Sequence, residues 1–240
     1  MADQSKERKS ADPFKVLALD TATSACSVAL ANGGGTIAEL NYFHGQTHSK
    51  HLAAMVAALL DVAAVRIGDV DAFAVDAGPG TFTGLRIGLA TIKGLAYATG
   101  KPAVGVSSLD VLAGQAGFSS RRICCMLDAR RGEVYTARYA AGNHTVEKLS
   151  AEEVIAPHQA VAANTGPCLY IGSGAVAYRD VISEIAGEAA RYVEGDANHL
   201  RASTVARLGL RQLRSPEAAE DANLVPNYIR RSDAEYNKLR

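Results

Sequence analysis

Two stretches of the chain join a strand-ending aspartate to a short turn. Asp20-Thr21-Ala22-Thr23-Ser24-Ala25-Cys26-Ser27 follows an apolar run, and Asp128-Ala129-Arg130-Arg131-Gly132-Glu133 follows another. A turn of this kind can hold phosphates through backbone N–H groups and hydroxyls. It normally wants an early glycine so that the backbone can approach the anion. Thr21 and Ala22 stand in those places. In the second turn, Arg130 and Arg131 can either bind a phosphate or fill the space it needs. Asp20, Thr21, Thr23, Asp128 and Gly132 are therefore read as relics of phosphate loops, held for folding, with at most weak nucleotide binding and no cofactor assigned. Gly172-Ser173-Gly174 is placed to face an adenosine, although a lone GxG is a weak signal.

A third stretch, Gly78-Pro79-Gly80-Thr81-Phe82-Thr83-Gly84-Leu85-Arg86, lies between a strand and a helix. Free N–H groups and the helix dipole favour an anion there. It is not a Walker A loop, which ends in Gly-Lys-Ser/Thr; the alternative is a tight turn with Thr81 or Thr83 as helix cap. His44, His48 and His51 have the spacing of metal ligands on a helix. His44 precedes the cap, and no carboxylate or cysteine completes a set, so no metal is expected. The four cysteines, Cys26, Cys124, Cys125 and Cys168, contain no CxxC. Cys124 and Cys125 would fall on opposite faces of a strand, and buried free thiols are expected. No nucleophile elbow or Cys–His pairing is legible, and no catalytic residue is assigned.

The elements that position these loops follow from periodicity. FKVLALD, ACSVALA and TIAELNYF read as three strands, the last two split by the turn Asn32-Gly33-Gly34-Gly35. Leu52, Met55, Val56, Leu59, Leu60 and Ala63 form one helical stripe, with Ala53, Ala57 and Ala64 on a smaller face beside it. Then come a strand (DAFAVDA), a helix (FTGLRIGLATIKGLAYAT), a strand (PAVGVSS) and a helix from Ser107 or Ser108. The second half restarts with ICCMLDAR and EVYTARYA, followed by VEKLSAEEVIA as one strand, then helix, strand and helix, with ASTVARLGLRQLR as a last helix. Alternating strands and helices predict an α/β fold with a mixed sheet. The repeat of strand, Asp, turn and strand suits the two-lobed architecture of actin-like ATPases and sugar kinases, although a plain doubly wound sheet fits the periodicity nearly as well. The divisions expected are a flexible tail (1–13), a first domain (14–110, on one reading completed by 202–240) and a smaller second domain (111–201).

The helix after the third loop carries Gly84, Gly88 and Gly94. Each costs roughly 1 kcal/mol relative to alanine. Leu85, Leu89, Ile92 and Ala96 make its core stripe, and Gly84, Gly88 and Thr91 a groove on another face. Glycines four apart let another helix come close. That helix belongs either to a partner or to the same domain.

Bulk properties exclude some classes. The 240 residues are 48% hydrophobic, enough for a real core. Lys plus Arg is 25 and Asp plus Glu is 25, so the formal net charge is zero. A stand-alone nucleic-acid binder usually carries a basic excess. The start, MADQSKERKSADPF, has no apolar h-region and does not read as a signal peptide. No apolar run of about 18 residues is present. A cytoplasmic location without membrane contact is expected.

KVLALDTATSACSVAL, GPGTFTGLRIGLATIKGLA, LDARRGEVY and VPNYIR together resemble the TsaB (YeaZ) family, from about Phe14 to about Arg230. The resemblance implies a non-catalytic relative of TsaD that acts in making N6-threonylcarbamoyladenosine beside the tRNA anticodon. It implies binding to TsaD, with the ATPase TsaE as third member and tRNA met through the complex. TsaD would transfer the group from a threonyl carbamoyl-adenylate. It also implies a partner surface on the first two helices, here Ala53, Ala57, Phe82, Gly84, Gly88 and Thr91, which can support a homodimer when the partner is missing. The HxxxH metal motif of TsaD-like enzymes has no convincing counterpart: His44 and His48 share the spacing but open the first helix. Competing expectations are an ATP-dependent enzyme of the sugar-kinase type and a metallopeptidase.

Overall fold

The computed structural model describes residues 13–43, 48–117, 119–142, 145–215 and 224–230, His48 by its backbone alone. The expected tail up to residue 12, His44, the side chain of His48, and the segments 216–223 and 231–240 lie outside the described residues.

Two mixed sheets carry the fold. The first contains β1 (Val16–Asp20), β2 (Cys26–Asn32), β3 (Gly35–Tyr42), β4 (Ala72–Gly78) and β5 (Ala103–Ser107), in the order β3-β2-β1-β4-β5. The second contains β6 (Arg122–Asp128), β7 (Val134–Ala141), β8 (Val146–Lys148), β10 (Cys168–Ile171) and β11 (Ala190–Tyr192), in the order β11-β10-β6-β7-β8, with β9 (Glu153–Ile155) also on β7. The sheets repeat one plan. An opening strand ending in Asp pairs antiparallel with the next strand and parallel with a later one. The helices are α1 (His48–Val62), α2 (Phe82–Thr99), α3 (Ser108–Gln115), α4 (Pro157–Ala162), α5 (Ser173–Ala177), α6 (Arg179–Ala186) and α7 (Ala202–Leu213).

β1 is buried along its whole length, as its unbroken apolar run requires. Its two faces differ in size. Leu17 and Leu19, with Val28, Leu30, Phe73 and Val75, pack under α1 and α2 through Leu52, Val56, Leu59, Leu89 and Ile92. Val16 and Ala18, with Ala29, Ala31, Ala72 and Ala74, face the other way, against Ala202, Val205, Ala206 and Leu210 of α7 and Leu109 and Leu112 of α3. That inner layer continues into Ile123, Cys125, Leu127 and Ala137 of the second sheet. The small inner face lets α7 come close: a Cβ on Gly209 would lie 2.6 Å from that of Ala74. Cys124 and Cys125 do face opposite ways, Cys124 joining the outer core of the second sheet with Met126 and Tyr170.

α2 spans the residues its pattern predicts. Thr81 caps it by accepting from Gly84 N at 3.3 Å, and Gly100 closes it at φ 68°. Ser107 caps α3. Two details depart from expectation. VEKLSAEEVIA is not one strand: β8 pairs with Tyr139–Ala141 and β9 with Val134–Thr136, because Arg138 N donates to Ser150 Oγ between them and interrupts the ladder. β11 was not foreseen; three residues are too few to show a period. Among the described residues no helix is long and apolar enough to cross a membrane.

The glycine groove requires a correction. Gly84 and Gly88 are buried and face inward. A Cβ on Gly84 would collide with the Thr21 carbonyl, and one on Gly88 would lie 2.5 Å from Thr21 Oγ1 and 3.3 Å from Val75 Cγ2. The close neighbour is the β1–β2 loop rather than a second helix, so the side of α2 that these glycines open is covered by the chain itself. Gly94 differs, since nothing lies within 4 Å of its Cβ position. Gly84→Ala is expected to cost about 2–3 kcal/mol by urea unfolding, because backbone has to move. Gly94→Ala is expected to stabilise by about 0.5–1 kcal/mol in the same experiment, because only helix propensity changes.

Candidate functional site

The first loop is built against the third. Thr21 Oγ1 donates to Gly84 O at 2.7 Å, and Thr81 N donates to Ala22 O at 2.7 Å. Gly80 lies so close to Ala22 that a Cβ there would strike the Ala22 carbonyl. Thr21 and Ala22 are fully buried. The two stretches that each suit an anion are thus pressed onto one another, and the opening of α2 caps the turn after β1. Thr23 Oγ1 accepts from Ala25 N at 3.4 Å.

Beneath this contact lies a feature the sequence reading missed. The parallel register pairs Leu19 with Val75, so the next residues, Asp20 and Asp76, are neighbours at the carboxyl ends of β1 and β4. Both are 0% exposed. Asp20 Oδ1 accepts from Ala22 N at 2.9 Å. Asp76 Oδ1 accepts from Gly78 N at 2.9 Å and from Ser108 Oγ at 2.5 Å. Burial raises the Asp20 pKa to about 7, opposed by the hydrogen bonds from Ala22 and with Asp76. Burial, and then the charge of Asp20, push Asp76 well above the usual carboxylate range. Cys26, beside them, is pushed up to about 12 by burial and by Asp20. The available signal was Asp76 itself, an acid near the end of an otherwise apolar strand.

The second loop is shaped by its own backbone. Arg130, Arg131 and Gly132 take φ of 63°, 56° and 74°, a left-handed run that only the glycine adopts without cost. Asp128 Oδ1 accepts from Arg130 N at 2.8 Å, and Arg230 closes the turn from outside through Ala129 O and Glu133. Gly172 and Gly174 pack against β6 and β7. Gly172, at φ 108°, lies against the Met126 carbonyl, and a Cβ on Gly174 would lie 3.0 Å from Met126 and Val134. Ser173 does contribute: its Oγ accepts from Asp128 N at 3.1 Å, and it lines a cavity of about 330 Å³ with Arg179, Tyr192, Glu194 and His199.

The segment 224–230 ties the halves together. Leu224 enters the outer core of the first sheet. Asn227 N donates to Ala77 O at 2.7 Å, and Asn227 Nδ2 to Glu152 at 2.7 Å. Tyr228 stacks on Phe82 at 5.1 Å and accepts from Arg86 Nε at 3.1 Å. Phe82 is therefore partly covered by this chain itself. Thr91 turns its hydroxyl back to Ile87 O. Ala53 and Ala57 are exposed on α1. The ring of His51 packs on Tyr42 at 4.9 Å, and among the described residues no three metal-ligating side chains cluster.

Comparison with known proteins agrees with this geometry. The family model TsaD, tRNA N6-adenosine threonylcarbamoyltransferase, matches residues 42–238. The tRNA threonylcarbamoyladenosine biosynthesis protein TsaB of Escherichia coli (strain K12) is 35% identical over 177 residues, 71% of this chain and 76% of that protein. TsaB of Bacillus subtilis (strain 168) is 30% identical over 223 residues, 92% and 96% of the two chains. Among solved structures, YeaZ from Pseudomonas aeruginosa superposes with a TM-score of 0.74 at 31% identity, over 90% of this chain and 99% of that one. A ROK hexokinase from Thermus thermophilus reaches a TM-score of 0.51 at 12% identity, over 84% and 100%, which places the fold among the actin-like ATPases and sugar kinases. From its matched residues and its two-sheet fold together, this chain belongs to the TsaB (YeaZ) family of tRNA threonylcarbamoyladenosine biosynthesis proteins, within the reach of the TsaD family model.

Proposed function

We propose that the chain is a non-catalytic subunit that binds and activates TsaD in making N6-threonylcarbamoyladenosine in tRNA, with TsaE in the same complex and tRNA met through it. The observation that carries this reading is the filled first loop. Thr21 and Ala22 are packed onto Gly80 and Gly84, where a phosphate cradle would need open N–H groups. A protein built this way contributes by docking. The outer faces of α1 and α2 suit that role: Ala53, Ala54, Ala57, Ala58, Ala90 and Gly94 are small and exposed. Val62 and Tyr97 are 77% and 93% exposed. Small residues let a partner helix approach, and an exposed tyrosine is a common anchor. Of the interface expected from sequence, Ala53 and Ala57 stay in this surface, while Phe82 and Thr91 lie at its edge. In this reading residues 14–110, completed by α7 and the final strap, form the docking half, and residues 111–201 the other. The same face would pair two copies when TsaD is missing.

Two experiments test the reading. Purified TsaD, TsaE and the adenylate-forming enzyme are combined with ATP, threonine, bicarbonate and tRNA, and the modified adenosine is measured by mass spectrometry. Modification is expected to require this chain, which alone turns over no ATP; equal modification without it would return the sugar-kinase reading. Separately, Ala57→Glu and Tyr97→Glu are each expected to weaken TsaD binding at least about tenfold with an unchanged circular dichroism spectrum. Full binding by both variants would move the interface elsewhere.

A further inference from the structure

Each carboxyl of the Asp20–Asp76 pair has one oxygen supplied with donors and one without. The Oδ1 atoms are met by Ala22 N, Gly78 N and Ser108 Oγ. The Oδ2 atoms of both residues are buried with no donor among the described residues. The parallel register that pairs Leu19 with Val75 sets the two buried side chains next to each other, and a bond between two carboxyl oxygens requires a proton on one of them. Among the described residues no lysine, arginine or histidine meets either Oδ2 atom. The groups facing the pair from other elements are the Ser108 hydroxyl of α3 and the Cys26 thiol of β2, which burial and Asp20 keep neutral.

We propose that Asp20 and Asp76 hold one proton between their Oδ2 oxygens, and that this proton latches three segments: the β1–β2 loop, the turn before α2, and the first turn of α3. Asp20 holds the first through Ala22 N. Asp76 holds the second through Gly78 N and the third through Ser108. α3 is the crossover from the first sheet to the second, so the latch sits at the junction of the two lobes. Loss of the proton sets two negative charges side by side in an apolar interior. Because the shared proton is bound more readily in the folded chain than in the unfolded one, its contribution is complete below the ordinary aspartate range and is lost as pH rises from there through about 7.

The full chain, labelled with 13C at the aspartate carboxyls, is titrated by NMR from about pH 5 to about pH 9. Two coupled signals are expected, one carboxyl staying protonated at about pH 6 and releasing its proton near or above pH 7. In Asp76→Asn the amide donates to Asp20 permanently, so that step disappears. The thermal midpoint of the wild type is expected to fall by about 5 °C relative to that variant between about pH 6 and about pH 8. Aspartates that all titrate in the ordinary carboxylate range would overturn the proposal, as would a difference between the two proteins that is independent of pH. Saturable movement of the two signals on adding Mg2+ or Na+ would also overturn it, by showing a cation in the proton's place. If Asp76→Asn fails to fold, the wild-type titration alone decides.

Discussion

The close approach of the α2 entrance to the turn after β1 is the contact on which the other features depend. Gly80 and Gly84 bring backbone against the backbone of Thr21 and Ala22, with two hydrogen bonds across the seam. Any side chain there would separate the segments. The seam seals Asp20 and Asp76 from water, which sets their acidity. The glycines weaken α2 by roughly 1 kcal/mol each as a helix, and dense packing with satisfied hydrogen bonds offsets this.

The two lobes are built by one rule with different fillings. Each opens on a strand buried on both faces that ends in Asp, followed by a turn and an antiparallel partner. In the first lobe the turn is held by α2. In the second it is held from outside by Arg230 and underneath by Ser173. The inner faces differ as well. Alanines on the first sheet admit α7 with Gly209 against Ala74, whereas the second sheet offers Ile123, Cys125 and Leu127 to the same layer. The repeat is one of topology, and packing distinguishes the halves.

The features legible in the residues alone are local. The strand of FKVLALD, the helix from Phe82, a threonine cap at Thr81 or Thr83 and the opposite faces of Cys124 and Cys125 follow from period, capping chemistry and pleat, each of which acts over a few residues. The repeated strand-Asp-turn pattern suggested the two-lobed fold, and the GPGTFTGLRIG block pointed to the family. Tertiary structure alone decided what the glycines face and which acids meet. Gly84 and Gly88 show the spacing of a helix groove, yet spacing does not say whether the close neighbour is a partner helix or the chain's own loop. Asp76 lies 56 residues from Asp20 in sequence, and only the parallel register of β1 and β4 makes them neighbours. The spacing of Gly172 and Gly174 likewise does not say that the Met126 backbone lies against them. Contacts between distant segments leave no period in the sequence, because they depend on how the elements stack and not on where the residues fall along the chain.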